Sequence, residues 1–229
     1  MRRFLTALLI LVTCLTVMAD DTAFLGIQGP VMTISEWTIT PEQAEACQGV
    51  NMYDFDAVIG VLADKEDEQV LAGIQNFAYL LTQDSAIFDE NIKRDTGGNI
   101  SQIKFSNMPG WYNVQWKDGR PVKLTLIESS LEGIISLDAY DHCFDFIEID
   151  WQPVEYAPNK TVMVPKRMRM ESNGFFTEIK TRDFSNYVFD TRGNWLKCTV
   201  VDQYYDRDAS AGTITALMKE SKFLYREVK

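Results

Sequence analysis

Short runs of β-branched and aromatic residues alternate with polar breaks along the chain from residue 91 to its end. Glycine, asparagine, aspartate or proline interrupts these runs about every ten residues, which is typical of antiparallel strands joined by turns. No run is followed by a helical pattern and a second run, as a parallel sheet would require. The pattern predicts a mainly β fold with a minor α part. We expect a twisted antiparallel sheet, a β-meander of hairpins, with one or two helices in the N-terminal third.

The beginning of the N-terminal third has a mixed pattern. Residues 24–40 alternate in part and are rich in β-branched and aromatic side chains, which predicts a first strand or hairpin. Residues 40–48, "TPEQAEACQ", predict a short helix. Thr40 can cap this helix, Pro41 suits its first position, and Gln43 can complete a capping box.

Two further segments complete this third. Residues 53–63, "YDFDAVIGVLA", form a short apolar run that we interpret as strand-like. Residues 64–83 have the clearest helical pattern, with Asp64 as a candidate N-cap and an acidic first turn that suits the helix dipole. Gly73 lies in the interior of this predicted helix, where glycine costs about 1 kcal/mol. The apolar side chains at helical spacing, which indicate a core-facing surface, are Val70, Leu71, Ile74, Phe77, Ala78 and Leu81.

The first 19 residues have the pattern of a secretory signal peptide. Two arginines precede an apolar run from Phe4 to Val17, and a small residue, Ala19, stands at the expected cleavage point. The run is shorter than the roughly 20 residues that a transmembrane helix needs. A lipoprotein signal at Cys14 is the alternative, although the three residues before Cys14 lack the small side chain usual there. We therefore expect a signal peptide at 1–19 and a single β-rich domain at 20–229, mixed over 20–90 and antiparallel β over 91–229.

The net charge of the chain argues against a nucleic-acid partner. There are 22 basic and 33 acidic residues, so the net charge is −11, and cleavage after Ala19 would lower it to −13. Nucleic acids are bound through lysines and arginines that neutralise phosphates, so no nucleic-acid partner is expected. No later segment is apolar and long enough to span a bilayer, and no transmembrane segment is expected after signal removal.

Three cysteines remain after the expected cleavage, Cys47, Cys143 and Cys198. An odd number allows at most one internal disulfide, with three pairings to choose from. Cys143 and Cys198 both lie in strand-like runs, which favours that pair, and three buried thiols are the alternative. The absence of a CxxC motif argues against redox catalysis and against a zinc ribbon.

One five-residue pattern occurs twice, as "DTGGN" at 95–99 and "DTRGN" at 190–194. Aspartate can accept hydrogen bonds from the backbone of the following residues, and glycine supplies the positive φ that tight turns need. In the second copy Tyr187 and Phe189 alternate along the preceding strand, and Trp195 begins the next one. The pattern predicts a hairpin turn in which aromatic side chains pack across the strand pair.

The aromatic-x-aromatic-Asp-x-x-Gly-Asn pattern resembles the YD repeats of the Rhs class. It is closest to small secreted bacterial proteins that carry a few degenerate copies of this hairpin. The residues that carry the resemblance are Tyr187, Phe189, Asp190, Gly193 and Asn194, with Trp195 after them, and, in a weaker copy without the aromatic pair, Asp95, Gly98 and Asn99. A third, shorter candidate contains Trp116, Asp118, Gly119 and Arg120.

The resemblance implies an architecture more than an activity. In this class the repeat builds twisted antiparallel strands, its matching residues are structural, and many secreted members have no known activity. It implies a location in the periplasm or at the cell surface of a Gram-negative bacterium, or outside the cell. Because the copies are few and irregularly spaced, we expect a compact sheet-plus-helix domain in place of a closed shell.

The chain has little material for catalysis or metal binding. Its only histidine is His142, so every Ser/His/Asp or Cys/His site would depend on that residue. Asp202, Asp206 and Asp208 offer oxygen ligands for calcium, but their spacing does not match an EF-hand, and a solvated acidic turn is the favoured interpretation. We predict no catalytic residue, no cofactor and no metal site.

Two functional hypotheses follow. The first is an exported non-enzymatic envelope protein that serves as a binding or structural module for a protein or glycan partner, through a sheet face or edge. The second is an extracytoplasmic, glycosidase-like hydrolase that uses paired carboxylates near Glu148 and Asp150, which would share a strand face.

Two further features bear on these hypotheses. The basic segment "KRMRM" at 166–170 predicts either a docking patch or a protected edge strand. Tryptophans in the β-rich part could stack on sugar rings, although packing of the sheet is favoured; they are Trp111, Trp116, Trp151 and Trp195.

Overall fold

The computed structural model describes Phe24 and residues 26–28, 33–66, 77–80, 92–104, 110–128, 144–172, 178–208 and 213–228. Within these residues the elements are β1 (Thr33–Ile39), α1 (Pro41–Ala46), α2 (Phe55–Leu62), β2 (Phe77–Leu80), β3 (Ile92–Arg94), β4 (Ile100–Ile103), β5 (Trp111–Lys117), β6 (Arg120–Glu128), β7 (Phe146–Ala157), β8 (Lys160–Glu171), β9 (Glu178–Phe189), β10 (Trp195–Asp208) and β11 (Thr213–Val228).

All the described strands belong to one antiparallel sheet of eleven strands, in the order β2-β1-β11-β10-β9-β8-β7-β6-β5-β4-β3. From β3 to β11 each strand pairs with its neighbour in sequence, which is the meander of hairpins that the turn spacing predicts. The first strand departs from this order, because β1 pairs with the end of β11 from Ile34↔Val228 to Ile39↔Phe223. The predicted fold class, mainly β with a minor α part near the N-terminus, is confirmed.

The two helices cover one end of one sheet face. Trp37 of β1 and Tyr225 of β11 stack there at 6.1 Å between ring centroids. Val58 and Leu62 of α2 pack against these rings, and all four side chains are buried. Burying an aliphatic side chain of this size stabilises the fold by about 1.5–3 kcal/mol, so this contact holds α2 on the sheet.

The opposite face carries the rest of the core. Leu224 is adjacent to Tyr225 and therefore points away from the helices. The cluster around Leu224 joins β8, β9, β10 and β11 and consists of Val162, Val164, Phe184, Trp195, Cys198, Val200 and Leu224. A second cluster spans β3 to β8 and consists of Ile92, Ile100, Ile103, Tyr112, Leu124, Ile147 and Met170.

The ladder between β8 and β9 is short, and it shapes this core. These strands pair only from Arg167↔Asp183 to Glu171↔Ile179. Beyond that point the β7–β8 and β9–β10 hairpins separate, and side chains connect them. The Tyr187 hydroxyl donates to the Pro165 carbonyl at 2.5 Å. Residues 167–170 of the "KRMRM" segment lie in this ladder, with Met168 and Met170 towards the core clusters.

The capped helix at residue 40 forms as predicted. Thr40 Oγ1 accepts a hydrogen bond from the Gln43 backbone N–H at 3.2 Å, and Gln43 Oε1 accepts one from the Thr40 N–H at 2.9 Å. Pro41 begins the helix, where a missing N–H costs nothing. The predicted strand within residues 24–40 is also present, as β1.

The strand-like interpretation of residues 53–63 is wrong, because this segment forms α2. Asp54 caps the helix by accepting a hydrogen bond from the Ala57 N–H at 3.1 Å. Val58 and Leu62, four positions apart, bring their side chains to one helix face and bury them. A short apolar run fits a helix or a strand equally well, and here the cap and the packing partner decide.

The predicted helix at 64–83 is wrong at Phe77–Leu80, which forms β2 and pairs with β1 from Thr33↔Leu80 to Glu36↔Phe77. The backbone of β1 offers an unpaired edge to this segment, and such tertiary pairing outweighs local helical preference. Residues 67–76 and 81–83 lie outside the described residues. The predicted signal peptide at 1–19, Cys143 and His142 lie outside them as well. Among the helices that are described, none is long and apolar enough to cross a membrane.

Candidate functional site

The repeated turns at 95–99 and 190–194 have the same hydrogen-bond pattern. In each, the aspartate Oδ1 accepts from the backbone N–H groups two and four positions later, at 2.8 and 2.9 Å from Asp95 and at 2.8 Å twice from Asp190. The side-chain hydrogen bond from the closing asparagine, with those backbone bonds, lowers the pKa of Asp95. At Asp190 burial raises the pKa, but the same set of hydrogen bonds outweighs it and lowers the pKa overall.

The glycine of each turn has a backbone conformation that other residues rarely adopt. Gly98 has φ 86° and Gly193 has φ 95°. At Gly193 there is a second constraint, because an added Cβ would lie 2.9 Å from the Tyr156 ring. The third, shorter copy is a two-residue hairpin turn between β5 and β6, in which Asp118 and Gly119 both have positive φ.

The asparagines distinguish the two copies. Asn194 is fully buried, its Oδ1 accepts from the Gln28 N–H at 2.6 Å, and its Nδ2 donates to the Gln28 carbonyl at 3.2 Å. This pair of bonds ties the beginning of the described chain to a turn 166 residues later. Asn99 is exposed, and its side chain donates only to Asp95, at 3.3 Å.

The aromatic residues around the second turn pack against one another. Tyr187 lies 5.9 Å from Phe189 and 6.1 Å from Trp195, measured between ring centroids. Burial raises the pKa of Tyr187, whose hydroxyl is held by the Pro165 carbonyl. The residues of the second copy thus make backbone and core contacts.

A buried ion pair lies beside this aromatic cluster. Arg226 is 4% exposed, its guanidinium carbon lies 3.6 Å from the Trp195 ring centroid, and its Nε donates to Glu36 at 2.7 Å. A second Arg226 nitrogen also donates to Glu36. The third, Nη1, and the Trp195 Nε1 are buried without a hydrogen-bond partner. This arrangement joins β1, β10 and β11.

The acidic segment at Asp202 differs from the solvated turn that we expected. Asp202 lies within β10, is 1% exposed, and is bound by Arg182 at 2.6 and 2.7 Å and by Lys180 at 3.4 Å. Burial raises the pKa of Asp202, but these two cations outweigh it and lower the pKa overall. The side chains of Asp206 and Asp208 lie outside the described residues. Among the residues that are described, no group of acidic, histidine and cysteine side chains could hold a metal ion.

The carboxylates of the hydrolase hypothesis lie in a ladder of ion pairs. Glu148 Oε1 is 3.0 Å from Lys123 Nζ, and its Oε2 is 3.9 Å from Arg169. Asp150 is across the ladder from Arg167, a cation that binds Asp183 through two hydrogen bonds. A glycosidase needs two carboxyl groups free to act on one substrate, whereas Glu148 is engaged by two cations and Asp150 lies opposite a third.

Three of the four tryptophans in the β-rich part serve the packing of the sheet. Trp116 Nε1 donates to the Ile100 carbonyl at 2.7 Å, and Trp151 Nε1 donates to the Pro121 carbonyl at 2.8 Å. Trp195 is 4% exposed. Trp111 is partly exposed, with Lys93 Nζ 4.3 Å from its ring centroid.

The two described cysteines are free thiols and fully buried. Burial raises the pKa of Cys198 to about 12 and raises that of Cys47 as well, so both thiols are protonated at neutral pH. Cys143, the predicted partner of Cys198, lies outside the described residues, so the pairing of these two cysteines stays a prediction. Cys47 lies in the cluster under the helices and Cys198 in the cluster on the opposite face, so these two cannot pair.

The feature that sequence reasoning missed is an open edge at the distal half of β11. Residues 213–222 pair with β10, and none of the described strands pairs with their other edge, because β1 pairs with residues 223–228 of β11. On this stretch, here called the open edge, Ile214, Leu217 and Met218 are 55%, 66% and 48% exposed. The run "TITALM" at 213–218 is rich in β-branched and apolar residues and could have indicated a strand, but the sequence does not show which strands pair with it.

Comparisons of the chain with known protein families, with curated proteins and with solved structures give no match. The resemblance of residues 187–195 to YD repeats therefore stays a prediction.

Proposed function

We propose that this chain is an exported, non-enzymatic binding module that holds a protein partner at the open edge of β11. The observation that carries the proposal is the coincidence of a backbone edge with which no described strand pairs and of exposed apolar side chains at Ile214, Leu217 and Met218. An edge strand presents free N–H and C=O groups that can pair with an extended segment of another chain. Large apolar side chains exposed beside them supply contact area.

A protein partner has more support than a glycan. Sugars stack on exposed aromatic faces, and three tryptophans of the β-rich part are engaged in hydrogen bonds or core packing. The hydrolase hypothesis has less support, because Glu148 is paired with Lys123 and the strand face around it is a ladder of opposite charges. Export is supported by the signal-peptide pattern of residues 1–19.

The test is partner capture with matched variants. The mature chain, its Leu217→Lys variant and its Val188→Lys variant would each be immobilised and exposed to envelope extract of a Gram-negative host. Val188 is the control because it is also an apolar strand residue, 42% exposed, but lies on β9. We expect the wild type and Val188→Lys to retain the same protein, and Leu217→Lys to lose it by tenfold or more.

Both variants are expected to fold, because each substitution replaces an exposed side chain. Thermal melting would verify this. Equal capture by all three chains would overturn the proposal. Binding to a glycan array that is unaffected by Leu217→Lys would assign the function to carbohydrate instead.

A further inference from the structure

The charged side chains along the open edge are not all neutralised by ion pairs. Lys222 Nζ lies 2.7 Å from Glu220 Oε2, so these two neighbours on one face neutralise each other. Lys219 points to the other face, is exposed, and has no ion-pair partner among the described side chains. The edge therefore carries one uncompensated positive charge within a chain whose net charge is −11. At physiological salt, charges further than about 8 Å away are largely screened, so Lys219 dominates locally.

A β-bulge limits where a new strand can pair. Met218 pairs with Tyr204 and Ala216 pairs with Tyr205, which leaves Leu217 as the extra residue of β11. Bulges and lysines commonly protect edges from strand addition, but three exposed apolar side chains do the opposite. The regular part of the open edge is residues 218–222. The bulge, with Leu217 as its extra residue, lies beside Met218 at one end of these regular residues.

A second copy of the chain does not suit this edge. A two-fold antiparallel pairing of residues 218–222 is centred on Glu220, which would then be opposite Glu220 of the other copy. Like charges directly opposite each other destabilise a strand pair. Two chains of net charge −11 would also repel each other.

We infer that the open edge takes an extended segment of another protein, with apolar side chains for Leu217 and Met218 and a carboxylate for Lys219. This inference rests on the proposed function, since it names the chemistry of the partner segment. The backbone of residues 218–222 provides the hydrogen bonds, the apolar pair provides the contact area, and Lys219 selects the charge.

The probe is a fluorescein-labelled eight-residue peptide in which valine alternates with glutamate, so that a carboxylate can reach Lys219 in every register that places the glutamates on the Lys219 face and the valines on the other. The matched peptide has lysine in place of glutamate. Binding to the mature chain is measured by fluorescence anisotropy. We expect the acidic peptide to bind about fivefold more tightly, a ratio that fits an exposed ion pair.

Two variants test whether Lys219 causes the preference. Lys219→Glu should abolish or reverse it, while Lys117→Glu, which makes the same charge change at an exposed residue of β5, should leave it intact. Equal affinities for the two peptides, or the same response to both variants, would overturn the inference. If neither peptide binds while Leu217→Lys still abolishes partner capture, the inference fails and the proposed function stands. If Leu217→Lys leaves capture unchanged, the proposed function fails first.

Discussion

Asn194 shows how one side chain can join distant parts of the chain. It closes its own turn through Asp190 and also binds both backbone groups of Gln28. Asn99 occupies the same place in the other turn, and its side chain has no long-range partner of this kind among the described residues. We therefore expect the second copy of the turn to contribute more to the free energy of unfolding than the first.

We predict that Asn194→Ala lowers the free energy of unfolding by about 2–3 kcal/mol, because it removes the three hydrogen bonds that this fully buried side chain makes with Gln28 and Asp190. Asn99→Ala is the matched control and is expected to cost under about 1 kcal/mol, since water can replace its exposed hydrogen bond. Urea denaturation at pH 7 measures both. Equal losses would show that the contact to Gln28 is not stabilising.

Asp202 should make the stability of the protein depend on acid pH. Its pKa is lowered in the folded state, so its contribution is fully present above the unfolded value of about 3.9 and is lost as pH falls through the folded pKa. We predict that Asp202→Asn destabilises the protein at pH 7 and that the difference from wild type narrows as the pH falls below the unfolded pKa of about 3.9. Urea midpoints across this fall in pH provide the measurement. A constant difference would mean that Asp202 does not titrate with folding.

At the scale of elements, two segments show why pattern alone was insufficient. The capping residues of α1 act within a few positions, and its boundaries followed from them. The apolar run of α2 and the segment of β2 depend on partners far away in sequence, Trp37 and Tyr225 for α2 and the edge of β1 for β2. Local preference is a weak guide when a tertiary partner supplies more free energy.

Substituting alanine for Gly60 of α2 and for Gly193 is predicted to change the stability of the protein in opposite directions. Gly60 is exposed, lies inside a helix, and an added Cβ would meet no atom within 4 Å. Gly60→Ala is expected to stabilise the protein by about 0.5–1 kcal/mol, because alanine loses less backbone entropy on folding. Gly193→Ala is expected to destabilise it by more, through positive φ and the Tyr156 ring. Thermal melting of both variants is the measurement, and a destabilising Gly60→Ala would argue against α2.

For the whole molecule, the export that we propose from the signal-peptide pattern is the property that would most restrict its partners. We predict that expression of residues 1–229 in a Gram-negative host yields a periplasmic chain that begins at Asp20. Intact mass spectrometry of the periplasmic fraction measures this. Cys14→Ser should leave the product unchanged, and a lipid-modified chain that begins at Cys14 would instead establish the lipoprotein alternative.

The open edge also belongs to this scale, because no local pattern reveals which strand lacks a neighbour. The run at 213–218 is strand-like in composition, but only the structure shows that β1 ends its pairing at Phe223 and that Leu217 is 66% exposed. The charge ladder at Glu148 is similar. The strand face on which Glu148 lies was predictable from the sequence. The positions of Lys123 and Arg169 beside Glu148 depend on the register of the neighbouring strands.

The sequence by itself determined the β-rich class, the hairpin meander, the capped helix at Thr40 and the turn chemistry of Asp95 and Asp190. These properties depend on residues within a few positions of one another, where periodicity and hydrogen-bond geometry act directly. Only the tertiary structure decided the helix at 55–62, the burial of Asp202, the contact between Asn194 and Gln28, and the open edge. Each of these depends on which distant strand becomes a neighbour, and that is settled by the free energy of the whole packed sheet.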